Sequence, residues 1–285
     1  TSQLAVFTHV GGEHRRAPPL TEVEVTRMPK HHRLLLVNES TYTTQSIPMD
    51  SIRDAINAQL EHFAAAWGDV TWELTRDLDL QGFRIVLLDN TDEADALAYH
   101  YLTPNGKPYA SVFVEDILTN DGTWTDGVNS VSCSASHEVV ELLADPACNY
   151  YADGLDGYMY ALEVADPTEG DSYNIDGVAV SNFVYPDYFN PWAKKRRGHK
   201  LDHMGLIKRP FEARPDGYLM RHRGLKDRTI WGPGLPRWKR EMKTTMAHRR
   251  TRVRLEELKR LTAGAAKPPP KHRSRKRAKI VTSAG

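Results

Sequence analysis

The sequence predicts an α+β domain in which a sheet backs one long helix. Three observations predict it. Short apolar runs alternate with helical periodicity in the order strand, helix, strands, helix, and that order favours a layered fold. The last of these helices, Ser132–Ala144, carries His137, Glu138 and Glu141 on an otherwise apolar surface. Beyond Asn149 the composition shifts to Tyr, Asp, Gly, Pro and Asn, which predicts loops and short strands packed over that core.

The elements follow in chain order. Residues 1–30 are polar, contain proline and show no sustained period, so they are read as an N-terminal arm. Leu34-Leu35-Leu36-Val37 within His32–Asn38 is a buried strand. Pro48 precedes a helical pattern in which Ile52, Ala55, Ile56, Leu60, Phe63, Ala64 and Trp67 recur at steps of three and four, and Gly68 ends it. Arg84–Leu88 is the next strand. Tyr99–Leu102 and Tyr109–Glu115 flank Thr103-Pro104-Asn105-Gly106 and read as a connected pair of strands. After the loop Asp121–Ser130 comes Ser132–Ala144, whose apolar Ala135, Val139, Val140, Leu142 and Leu143 surround the polar set; Asp145-Pro146 stops it.

Charge divides the 285 residues unevenly. The net charge is only +1, yet residues 226–285 hold nineteen Lys and Arg against four Asp and Glu. The chain is an acidic body with a basic tail, giving three regions: the arm 1–30, a domain over 31–225, and a basic helix and tail over 226–285. Within the tail, 237–262 reads as a basic helix and Lys271–Lys279 as a nearly pure cationic run. Such a tail suits electrostatic docking on nucleic acid or an acidic protein surface, and no base-reading motif accompanies it. No apolar stretch approaches the roughly 20 residues a membrane helix needs, so no membrane partner is expected. Cys133 and Cys148 bracket the polar helix. With about 1.5 Å of rise per helical residue they stand too far apart for a disulfide. Two unbridged thiols fit a reducing compartment such as the cytoplasm of the producing cell.

His137-Glu138-Val139-Val140-Glu141 is a variant of the His-Glu-x-x-His pattern. Positions i and i+4 share a helix face, so His137 and Glu141 can hold one ion while Glu138 acts on water as general base. Glu163-Val164-Ala165-Asp166-Pro167 supplies a second acidic cluster 22 residues after Glu141. Asp145 is a further candidate, two turns beyond His137 and drifting off its face. His31-His32, His100, His199 and His203 lack a ligand spacing and are read as structural or exposed. Tyr150, Tyr151, Tyr158 and Tyr173 are candidate oxyanion donors.

Together these segments resemble a group of HExxE proteins related to zinc metallopeptidases, which recur in bacterial and phage genomes and are often virion-associated. The likeness runs through Ala98-Tyr99-His100, Gly106–Val114, Ser136–Pro146, Glu163–Pro167, Ile175–Phe183 and Gly217-Tyr218, and so covers roughly 30–225. It implies a zincin-like fold with Zn²⁺ held by His137, Glu141 and Glu163, with Asp166 orienting the histidine; the roles of Glu163 and Asp166 can also be exchanged. It gives Tyr109–Glu115 the part of a sheet edge that pairs with an extended peptide or protein substrate. Two carboxylates and one imidazole neutralise a divalent ion, so it polarises water less than a two-histidine site does, and Ca²⁺ or Mn²⁺ can compete. Two functions are therefore expected from the resemblance. One is a metallopeptidase-like hydrolase carried in a phage virion. The other is a non-catalytic virion component on the same scaffold, anchored by its tail to other virion proteins or nucleic acid.

Overall fold

The computed structural model describes residues 32–234, apart from 43–46, 69–71, 78–80, 93–95, 104–105, 194–197 and 224–225. The arm 1–30, the helix read over 237–262 and the cationic run beyond it lie outside the described residues.

The fold is mixed α+β around a five-stranded sheet. Strand β1 (His32–Asn38) pairs on one side with the edge strand β2 (Trp72–Thr75) and on the other with the central strand β3 (Phe83–Leu88). The sheet continues through β5 (Pro108–Phe113) to β4 (Ala98–Leu102), in the order β2-β1-β3-β5-β4. All neighbours are parallel except β4, which pairs antiparallel with β5. Alternation sorts the side chains between faces. Leu34 and Leu36 enter one apolar cluster with Ile85, Leu87, Ala110 and Val112, whereas Leu35, Val37 and Val86 enter another.

Two helices cover the first face. α1 (Met49–Trp67) buries Ile52, Ile56, Leu60 and Phe63, the stripe that its three- and four-residue spacing predicts. α3 (Val131–Ala144) starts at Ser130, whose hydroxyl accepts the Cys133 N–H as an N-cap. It buries Val131, Ala135, Val139 and Leu142 in the same cluster as the α1 stripe. Each fully buried side chain of this size contributes about 1.5–3 kcal/mol, which offsets the cost of carrying charged groups under the sheet.

Two expectations are corrected, and one strand is new. Tyr109–Glu115 is not a sheet edge: β5 sits between β3 and β4, and at Val114 the chain turns into the short helix α2 (Val114–Thr119). The edge is β4. Strand β2 was not visible in the sequence. Nor does the domain end at 225, since β11 (Lys226–Trp231) pairs along its length with β10 (Tyr218–Arg223). Charge composition placed that boundary, and backbone pairing overrides it.

The segment after α3 builds a four-stranded antiparallel sheet, β11-β10-β7-β6, from β6 (Tyr151–Asp153) and β7 (Met159–Ala161) with the last two strands. A separate hairpin, β8 (Ser172–Ile175) and β9 (Val178–Ser181), turns at Asp176-Gly177, both with positive φ as a two-residue turn of this kind requires. β9 fastens α3 in place: Ser132 donates to the Ala179 carbonyl at 2.6 Å and the Ser181 N–H donates to Ser136 at 2.7 Å. Both cysteines are buried, and neither forms a disulfide among the described residues. Among the described residues no helix is long and apolar enough to cross a membrane.

Candidate metal centre

Six titratable side chains converge where α3, β4 and the turn after β7 meet. α3 supplies His137, Glu138 and Glu141. β4 supplies His100, which shares with Ala98 the strand face toward α3, while Tyr99 and Tyr101 pack with Phe113 on the other. Glu163 and Asp166 come from the turn that follows β7. It is drawn onto α3 by Glu141, whose Oε1 accepts the N–H groups of Ala165 and Asp166, each at 3.2 Å. A buried carboxylate holding two backbone donors fixes both its own orientation and the path of the turn.

His137 Nε2 lies 3.4 Å from Glu141 Oε1 and 3.4 Å from Asp166 Oδ1. A hydrogen bond between imidazole and carboxylate prefers about 2.7–3.2 Å. Zinc bound tetrahedrally at about 2.0–2.1 Å sets neighbouring ligand atoms about 3.3–3.4 Å apart. The observed spacing is long for the first and right for the second, so the donor set fits a divalent ion. The ligand atoms of these three residues all lie within 4.8 Å of one another.

His100 completes the constellation. Its Nδ1 is 3.2 Å from Glu138 Oε2 and 3.4 Å from Glu141 Oε2, and its Nε2 is 4.0 Å from Glu163 Oε2. The whole set is deeply placed. His137 is the most accessible, with 14% of its side chain exposed, against 5% or less for the others.

Burial on its own disfavours the charged form of each imidazole. For His137 that effect is the largest single influence, yet Glu141 and Asp166 together outweigh it and raise the pKa well above the usual value. For His100 burial is likewise opposed and outweighed, by the Cys148 thiol, Glu138 and Glu141, again with a net rise. In the metal-free protein the two rings thus serve as internal cations for the carboxylates. Burial pushes the Cys133 thiol up to about 12 against the opposing influence of His137, leaving it a poor ligand.

The sequence-predicted residues are distributed as follows. His137, Glu138 and Glu141 stand together. Asp166 rather than Glu163 stands with His137 and Glu141, and Glu163 lies behind His100 instead. Asp145 is elsewhere: it ends α3 and its carboxylate accepts the Asn149 and Tyr150 N–H groups at 3.0 and 2.9 Å. Three of the candidate tyrosines are engaged away from the centre. Tyr151 stacks on His222, Tyr158 lies under the Arg221 guanidinium at 3.9 Å, and the Tyr173 hydroxyl reaches His62. His100 has no ligand spacing of its own, because a spacing within one helix says nothing about a strand. The signal was the alternation Ala98-Tyr99-His100-Tyr101, which sets a polar ring on the small-residue face.

No protein-family model, no curated protein and no solved structure matches the chain. The functional reading therefore rests on the geometry of these six side chains and on the motif residues themselves.

Proposed function

We propose that this chain is a zincin-like, metal-dependent hydrolase domain that acts on a peptide or protein carbonyl. The observation that carries the reading is His137 Nε2, set 3.4 Å from both Glu141 Oε1 and Asp166 Oδ1 in a buried pocket of charge. A divalent ion held there would supply Lewis acidity, polarising a carbonyl and making water easier to deprotonate. Glu138, next to His137 on the same helix, is the base that would take the proton, and His100 at 3.2 Å orients its carboxylate. β4 is the sheet edge beside the centre, and its outer backbone groups could align an extended peptide. Zn²⁺ suits the tetrahedral spacing, while the carboxylate-rich set also admits Mn²⁺ or Ca²⁺.

The burial of the centre favours a second reading, in which the ion is structural and the domain non-catalytic; a place in a virion is what the motif resemblance adds to it. Glu138→Gln separates the two. It should abolish hydrolysis of a peptide library while the zinc held through His137 stays bound if the first reading is right. Elemental analysis of the wild type beside His137→Ala/Glu141→Ala comes first: zinc in both proteins, or in neither after reconstitution, sinks the assignment of the site.

A further inference from the structure

The two oxygens of Glu141 face different histidines. Oε1 is 3.4 Å from His137 Nε2, and Oε2 is 3.4 Å from His100 Nδ1. On the His100 side, Glu138 Oε2 adds a third ligand atom 3.2 Å from the same nitrogen. His100, Glu138 and Glu141 thus form a second triad, with one ligand atom each within 4.8 Å of the others and all three residues buried.

We propose that the centre is dinuclear, with a second divalent cation held by His100 Nδ1, Glu138 and Glu141, and with Glu141 bridging the two ions through opposite oxygens. Carboxylate-bridged two-metal centres separate their ions by about 3.5–4 Å, a span suited to the two oxygens of one bridging carboxylate. Three further features agree with a built site.

The first is tautomer control. A ligating histidine generally directs its other ring nitrogen at a carboxylate, which fixes the tautomer and raises the basicity of the ligating nitrogen. His100 Nε2 is buried and makes no hydrogen bond, and it faces Glu163 Oε2 at 4.0 Å. Glu163 is the carboxylate standing behind this ring, which accounts for its absence from the first triad. A proton on Nε2 leaves the Nδ1 lone pair for the ion.

The second is charge. Four carboxylates gather around the two imidazoles, formally four negative charges, and two divalent cations balance them when both rings are neutral. A single cation at the first site leaves one negative charge uncompensated with His100 protonated, and two with it neutral, which is costly in a buried site. The third is ligand chemistry: imidazole and carboxylate together suit Mn²⁺ and Zn²⁺.

The inference rests on the His137–Glu141–Asp166 site of the reading above and changes one role within it. With the second cation bound, Glu138 Oε2 is a ligand, so its service as base belongs to the singly loaded protein. A second equivalent of metal therefore acts against hydrolysis.

The test uses the full chain, stripped with EDTA and dialysed against MnCl₂ or ZnCl₂, followed by elemental analysis and, for manganese, electron paramagnetic resonance. The wild type should hold two equivalents, with an exchange-coupled manganese spectrum. His100→Ala should hold one, with the spectrum of isolated Mn²⁺. Glu138→Gln, which keeps the side-chain shape should the alanine variant fold poorly, should also hold one. A wild type with one equivalent, lost in His137→Ala but kept in His100→Ala, overturns the second site and leaves the first standing. Metal absent from every protein removes both. Two equivalents that persist in His100→Ala and Glu138→Gln place the second ion elsewhere and likewise overturn the proposal.

Discussion

His100 on the edge strand and Glu141 on the central helix meet at 3.4 Å with neither side chain exposed to solvent. The contact joins the sheet to α3 through charge rather than through apolar packing alone. Removing one member of a buried charged pair costs about 3–5 kcal/mol, because the partner is left uncompensated. His100→Leu should therefore lower the unfolding free energy of the EDTA-treated protein by that amount in urea titrations. His199 offers the contrast. It lies 2.7 Å from Asp187, but both side chains are reached by solvent, and such a pair contributes about 1 kcal/mol or less. Equal losses for His199→Ala and His100→Leu would contradict the buried-pair account.

The raised pKa values of His100 and His137 fix the sign of a pH effect. Each ring binds its proton more tightly folded than unfolded. Its contribution is full below the unfolded pKa of about 6.5 and is lost as pH climbs through the raised folded value. The metal-free protein should thus melt at progressively lower temperature as pH rises above about 6.5. Metal binding runs the other way, since a ligating imidazole must be neutral, and affinity should rise over the same window with release of protons. Scanning fluorimetry with EDTA and with zinc checks both slopes. Parallel slopes would remove the two histidines from the site.

The parts of this architecture that depend on periodicity were legible in the sequence. The apolar stripe of α1 follows from one repeating spacing, β1 from its unbroken apolar run, and the polar set on α3 from i, i+4 geometry. What was not legible depended on tertiary placement. Glu163 and Asp166 sit three residues apart, and nothing local decides which of them turns toward His137. The two N–H bonds to Glu141 decide it, by fixing the path of the chain through Ala165 and Asp166. His100 needed the order of strands, which places β4 rather than β5 at the edge. β2 is four residues long and β11 lies in a basic stretch, so neither gave a pattern strong enough to read.

His203 behaves in the opposite sense to the two site histidines. Its ring stacks with those of His62, Tyr173 and Phe183 at centroid distances of 4.7, 4.5 and 5.4 Å. Burial, with His62 and Lys200 adding to it, pushes its pKa down to about 4. The stability it supplies is present above about pH 6.5 and is lost as pH falls through about 4. His203→Phe keeps a ring in the stack and removes the titration, so the acid limb of stability between pH 6.5 and 4 should flatten. An unchanged limb in urea midpoints measured across that range would show that other groups govern it.

Asp166 and Asp145 separate the site from the helix end. Asp166→Asn removes a proposed ligand, and zinc affinity should fall by about 100-fold or more, the upper end of what even outer partners cost. Asp145→Asn weakens two bonds to backbone N–H groups, which costs about 1–3 kcal/mol of stability but leaves zinc affinity in place. Competition titrations with a chromogenic chelator measure the first effect and thermal melts the second. The reverse pattern would restore Asp145 as the ligand.

Gly217 controls the site from outside it. A Cβ at this position would stand 2.4 Å from the Pro167 carbonyl oxygen and 2.9 Å from that of Asp166, so the chain must lack one for the two segments to meet. The obstacle is backbone, which cannot rotate aside as the end of a long side chain can. Gly217→Ala should cost about 1–3 kcal/mol through overpacking, and it should also shift the Asp166 turn and weaken zinc binding. Gly177→Ala is the control. There φ is +85 and nothing lies within 4 Å of the added carbon, so the cost is backbone strain of about 1–2 kcal/mol at the β8–β9 turn. Zinc affinity should follow Gly217 and not Gly177, even where the two variants lose equal stability. If affinity instead tracked stability in both, the turn carrying Asp166 would not be held by this contact.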